Sequence, residues 1–267
     1  MGLMSAMRRL DEAVVPRLAR GLTRVRRRRV RPLTIVAAVL LVAVAATGVW
    51  RLVRPEPGGG DGTSPLWVGV RDGDSVPRYI DAASAELSAL AAAQPGSPVY
   101  ALVSFREYRS PGEVAAIIAS VAGITPVHAY ARVPLPDRQT QRVRLAAQRL
   151  PDDLVADMVR VADRKNGDAA TYERMAQNEP GVQLKEIYRS NAEVSRAEAN
   201  AFRDACACVF ALLVRGSPDA LTTLSGRPEV RVVDPAAAVA DPDDAVFSAP
   251  LPEQTDRVQP PADSLPS

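Results

Sequence analysis

One pattern occurs twice in this chain, at residues 99–134 and 208–235: a strand apolar on both faces, a helix opened by Ser-Pro, then a more polar strand. An uncharged apolar run occupies residues 33–50, and a helix-leaning stretch separates the two repeats. Together these predict an α+β chain. Its expected parts are an N-terminal transmembrane helix and a ferredoxin-like (split βαβ) extracytoplasmic domain with a largely helical insertion. The expected boundaries are 1–32 for a basic cytoplasmic segment, 33–53 for the transmembrane helix and 54–65 for a flexible linker. The domain follows at 66–235, with the insertion at about 135–204, and 236–267 is a disordered Pro-rich tail.

The run LTIVAAVLLVAVAATGVW, residues 33–50, would span about 27 Å as a helix, close to the ~30 Å hydrocarbon core of a bilayer. Leu52 and Val53 lengthen it if Arg51 snorkels, and Trp50 sits where an interfacial aromatic belongs. RVRRRRVR immediately precedes the span, so the positive-inside bias places the N-terminus in the cytoplasm and residues 55 onward outside. The expected location is the plasma membrane, single-pass, with anionic lipid bound at the basic N-terminus. A cleavable signal peptide competes, because Ala43-Val44-Ala45 resembles a cleavage site after Ala45. The 32-residue N-region is long for a signal peptide and favours an uncleaved signal-anchor.

The net charge of +2 conceals an asymmetry. Ten Arg against Asp11 and Glu12 make residues 1–32 +8, so the remainder is −6. That balance argues against nucleic acid as a partner of the outer domain. PEPGGGDGTSP, residues 55–65, has turn composition and no apolar periodicity.

LWVGV (66–70) reads as a strand, and Ser75 as the cap of a helix over 77–93, where Tyr79, Ile80, Ala83, Leu87 and Leu90 share a face. VYALVSF (99–105) reads as a buried strand. Ser110-Pro111-Gly112-Glu113 is a capping box with Pro at the first helical position. ITPVHAYARVP (124–134) is a strand interrupted by Pro126, and QRVRLAAQ (141–148) alternates weakly as another. A helix opens at Pro151-Asp152-Asp153 and is expected to stop at Asn166-Gly167. Residues 169–177 and 192–204 are helix-leaning on either side of Pro180-Gly181. CVFALLVRG (208–216) repeats the buried strand, Ser217-Pro218-Asp219 opens a short helix, and PEVRVVDP (228–235) closes the domain. In a split βαβ sheet the first strand of each unit is central and the second lies at an edge, where Pro126, Arg132 and Arg231 discourage further pairing.

FALLVRGSPDALTTLSGRPEVRVVDPA resembles the closing half of the prodomain of subtilisin-like proteases, and YALVSF with SPGEVAAIIA resembles its opening half. The resemblance implies a ferredoxin-like module that inhibits and helps fold a protease, with Asp234, Pro235 and Ala236 entering the cleft. The chain departs from that family in its preceding membrane span, its intervening ~70 residues and the lack of a following protease domain. As a whole it is similar to uncharacterised single-pass membrane proteins of actinobacteria, which implies a location rather than an activity.

Nucleophile-elbow, zincin, P-loop and dinucleotide-binding motifs are all missing. No catalytic residue, cofactor or metal is expected, and the chain is read as a non-enzyme. His128 is the single histidine. Asp72/Asp74 read as a turn, with a weak Ca²⁺ site as the alternative; Asp152/Asp153 read as a helix N-terminus, and Asp241/Asp243/Asp244 belong to the tail. Arg142, Arg144 and Arg149, with Gln141 and Gln148, form either a solvated sheet edge or one face for an anionic partner. Both cysteines lie in DACACVF at the entry of the second central strand. There Cys206 and Cys208 would point to one face with Cα atoms about 6.6 Å apart. Buried thiols are favoured over a local disulfide, a bridge between two molecules, or a Cys–Cys–His128 metal cluster. The expected function is a membrane-anchored binding or regulatory module with a protein partner outside the membrane. A structural envelope or division-type component and a thiol–disulfide active protein using Cys206 and Cys208 are the alternatives.

Overall fold

The computed structural model describes residues 66–260. The predicted basic segment, transmembrane helix with its Ala45 cleavage alternative, and linker lie outside the described residues. Among the described residues no helix is long and apolar enough to cross a membrane.

The elements follow in the order β1 (Leu66–Gly69), α1 (Val76–Ala93), β2 (Val99–Arg109), α2 (Pro111–Ala119), β3 (Thr125–Ala131), β4 (Val143–Ala146), α3 (Asp152–Asn178), α4 (Val182–Arg203), β5 (Val209–Gly216), α5 (Pro218–Ser225), β6 (Val230–Ala236) and β7 (Ala245–Ser248). A 3₁₀ turn, Pro242–Asp244, precedes β7. The mixed α+β class is as expected. Five strands form one sheet in the order β4-β3-β5-β2-β6, with every neighbouring pair antiparallel.

The two doubly apolar strands, β2 and β5, are adjacent and central, because only an inner strand can bury both faces. β6 is an edge as expected, but β3 is not, since β4 adds a further strand outside it. Pro126 is accommodated where the β3–β5 register shifts, so the missing N–H interrupts no regular ladder. The outward N–H of Ala146 on β4 donates to Asp157 Oδ2 (2.6 Å), so a carboxylate on α3 satisfies a donor on the new edge.

Helix starts follow local chemistry. At Ser110 the capping box is reciprocal: Glu113 N–H donates to Ser110 Oγ (3.4 Å) and Ser110 N–H to Glu113 Oε2 (2.8 Å). Ser217 caps α5 through Ala220 N–H (3.3 Å). Ser75 precedes α1, but its side chain makes no capping bond.

The sheet separates two cores. On one face, Val103 and Phe105 of β2, Ala129 of β3 and Leu212 of β5 pack with Val114 and Ile117 of α2, Leu221 of α5, Leu154 and Met158 of α3, and Phe202 of α4. On the other, Leu102 and Phe210 pack with Val68 of β1, Phe247 of β7, and Val239, Ala249 and Leu251. That second layer corrects the expected disordered tail as far as residue 260. β7 pairs in parallel with β1, and Leu251 and Val258 are buried. The Pro-rich composition is compatible with this because extended segments need few backbone partners when a few apolar side chains anchor them. Gly69 makes the join possible: its φ is +104°, and a Cβ there would collide with the backbone of Ser248.

α3 also departs from expectation by running unbroken through Gly167. Leu154, Met158, Val161, Ala162, Lys165, Ala169 and Ala176 form one continuous buried stripe. That packing outweighs the roughly 1 kcal/mol helix penalty of a glycine.

Candidate interaction surfaces

The cysteines sit in a bend rather than in a straight strand. α4 ends at Arg203, Ala205 adopts a left-handed φ of +50°, and Cys206 N–H donates back to Ala201 O (3.1 Å). Cys208 then joins the sheet, its N–H donating to Arg109 O (3.1 Å) and its carbonyl accepting from Arg132 N–H (2.9 Å). The bend shortens the Cα–Cα distance to 5.3 Å, and the two sulfurs are bonded. The disulfide therefore replaces the expected buried thiols. Cys208 is fully buried and Cys206 half-buried, at the C-terminal end of α4, where the helix dipole disfavours a thiolate. His128 does not join them. It is in register with Leu213, five residues along β5 from Cys208 and so about 16 Å away. Desolvation, then the nearby Arg144, lowers its pKa. Among the described residues no cluster of His, Cys, Asp and Glu has the makings of a metal site.

The predicted arginine face is divided. Arg142 stacks over Phe210 (5.9 Å to the ring centre), Arg144 pairs with Asp243 (3.1 Å), and Arg149 turns away to Asp153 (2.9 Å) at the start of α3. Arg142 shares a cleft with Asp72, Arg132, Gln141 and Pro260. The stronger cluster there was not foreseen. Arg132, only 3% exposed, donates to Glu253 Oε1 (2.6 Å), to the Tyr108 hydroxyl (3.0 Å) and to Arg138 O (3.3 Å). Tyr108 in turn donates to Glu253 (3.0 Å), and burial pushes its pKa up to about 12. This network ties the C-terminal segment to β2 and β3, and holds Arg132 too firmly for it to serve as a free anion receptor.

The acidic groups play local parts. Asp74 accepts from Arg71 N–H (2.7 Å) in the predicted turn, Asp153 accepts from Arg149 N–H (2.8 Å), and Asp241 caps Asp243 (2.9 Å). Asp234, Pro235 and Ala236 are paired with β2 inside β6, not a free segment. Asp234 accepts from the Tyr79 hydroxyl (3.0 Å) on α1, and burial raises its pKa to about 6.

Among the described residues the most exposed large apolar side chain, Val182, belongs to the insertion. α3 and α4 form a helical hairpin joined through Glu179–Gly181, and a buried ion pair, Lys165 Nζ to Glu198 Oε2 (2.6 Å), crosses between them. Glu198 Oε1 also accepts from Gln141 N–H (3.1 Å), fixing the hairpin to the segment before β4. Beyond that pair α3 continues for residues 166–178, about 20 Å of helix. None of its buried residues there joins the core of the sheet. The buried residues there are mostly small: Ala169 and Ala176 on α3, and Ser190, Ala192 and Ser195 on α4. At the tip, Met175, Val182 and Leu184 are exposed, Val182 to 82%. Charges nearby are balanced: Glu173, Glu179 and Glu186 against Arg174, Lys185 and Arg189. The sequence signal was the apolar Val182 and Leu184 directly after the Pro180-Gly181 break.

No protein-family model matches this chain, and neither a curated protein nor a solved structure matches it.

Proposed function

We propose that this chain is a membrane-anchored, extracytoplasmic binding module without catalytic activity, built on a ferredoxin-like sheet with the helical hairpin as its binding arm. The fold reading is supported by the order β3-β5-β2-β6 with α2 and α5 on one face, the arrangement two split βαβ units generate. The anchor reading is supported by the apolar run at 33–53 and its flanking arginines.

The observation that carries the binding reading is the exposed apolar tip of the arm. Exposed apolar side chains gain about 25 cal/mol per Å² of apolar surface covered on docking, against an ordering cost of about 0.5–1.5 kcal/mol per side chain. Its balanced charges suit a protein groove better than an anionic surface. Thiol chemistry is not part of the proposal, given that Cys206 sits just beyond the C-terminal end of α4.

The test places a photo-crosslinking residue at Val182, and as a control at the exposed Ala170 on the same arm, in the full chain in native membranes. The expected result is one discrete protein adduct at Val182 that disappears in a Leu184→Asp background. Equal adducts at both positions would refute a binding tip. Protease added outside intact cells should degrade the domain; full protection would refute the topology.

A further inference from the structure

A second apolar surface lies where the described domain begins. β1 and β7 pair with Val68 opposite Phe247, and both pack toward the sheet. Alternation then turns Trp67 and its partner Val246 to the outer face. Trp67 is 40% exposed and Leu66 is 42% exposed. The Arg71 guanidinium stacks on the indole at 5.3 Å, and the indole N–H donates to Val70 O (3.3 Å). The indole is thus held in a fixed outward pose, with one cation against its face.

We propose that this Trp67–Arg71 patch rests in the headgroup region of the same bilayer that holds the anchor. An exposed indole bearing an arginine is the chemistry of that zone: the ring sits at the boundary of the acyl chains while the guanidinium reaches phosphate. Chain length makes the bilayer the occupant. Only the twelve Gly-rich residues 54–65 separate the apolar run from Leu66, a length that would span about 19 Å as a Gly-rich chain. Such a short tether presents the patch to the membrane at an effective concentration in the millimolar range, so weak intrinsic affinity suffices. Docking would fix the orientation of the domain on the membrane. The inference rests on the anchor reading.

The experiment uses the full chain with Trp50→Phe, which leaves Trp67 as its only tryptophan. It is reconstituted into phosphatidylcholine–phosphatidylglycerol vesicles with or without brominated acyl chains. The expected result is at least twofold quenching of Trp67 by brominated lipid with weak quenching by acrylamide. Arg71→Glu, with an unchanged circular dichroism spectrum, should cut the lipid quenching by half or more. Strong acrylamide quenching without lipid quenching, in protein that stays in the pellet after alkaline carbonate, overturns the inference and leaves the anchor standing. Shielding from both quenchers places Trp67 against protein and also overturns it. Release of the chain by carbonate overturns the anchor and the inference together.

Discussion

Asp234 offers a sharp test of how β6, α1 and β1 are tied together. Its carboxyl is buried, takes hydrogen bonds from the Tyr79 hydroxyl and the Gly69 N–H, and faces Glu86, with Arg231 close to Tyr79. Burial is the largest influence and lifts its pKa from 3.8 to about 6. Below pH 4 the group is neutral in folded and unfolded chains alike and costs nothing. Between pH 4 and 6 the unfolded chain releases its proton while the folded chain keeps it, so stability falls as pH rises. Above pH 6 the whole penalty persists, about 3 kcal/mol at 1.36 kcal/mol per pH unit. Asp234→Asn is nearly isosteric, still accepts from Tyr79 and cannot ionise. Urea unfolding of the protein should be followed from pH 4 to 7.5 for both forms. The variant-minus-wild-type stability should climb by about 2.5 kcal/mol across that range. Tyr79→Phe removes a bond that favours the carboxylate and should steepen the wild-type slope. A difference curve that stays flat would refute the buried assignment of Asp234, whatever the absolute stabilities.

Glu198→Gln leaves the Lys165 ammonium buried without its partner and should cost about 3–5 kcal/mol, read as a melting temperature lower by roughly 10 °C. The double variant Lys165→Met/Glu198→Leu should recover most of that loss. Reduction of the Cys206–Cys208 bond should add two hydrogens to the intact mass. It should lower stability by only about 1.6 kcal/mol, because the closed ring spans three residues. Leu251→Ala should cost about 2–5 kcal/mol in thermal unfolding, since that side chain is fully buried beneath the sheet; no change would restore the reading of a free tail.

The central sheet was legible because its signals are local and mutually consistent. A strand apolar on both faces has one place to go, and β2 and β5 went there; Ser110 and Ser217 start helices by a bond that depends on three neighbouring residues. What failed was whatever depended on partners distant in sequence. Gly167 looked like a stop because the local cost of glycine is visible, whereas the stripe on α4 that offsets it lies some 25 residues away. β3 looked like an edge because nothing in residues 124–134 announces that β4 will cover it. The cysteine pair was misjudged for a related reason: a 6.6 Å spacing holds only for a straight strand, and the left-handed Ala205 is an alanine, carrying none of the signal a glycine would.

The C-terminal segment shows why composition is a poor guide to order once a scaffold exists. Residues 236–260 hold too little apolar surface to fold alone, and their Pro, Ala and Asp content reflects that. On the second face of the sheet they need no core of their own. Leu102 and Phe210 supply one for Leu251, and Val258 packs separately with Val70 and Val76. Arg231 donates to Leu251 O (3.1 Å) and Gln254 O (2.6 Å), while Arg132 holds Glu253, so arginines placed on strands replace the hydrogen bonds a regular element would provide. The same segment brings β7 against β1, and that pairing holds Val68 inward and Trp67 outward. Loosening this strap would therefore change the Trp67 surface before it changed the sheet. Leu251→Ala should alter the fluorescence of Trp67 at temperatures where the far-ultraviolet signal of the domain is still native.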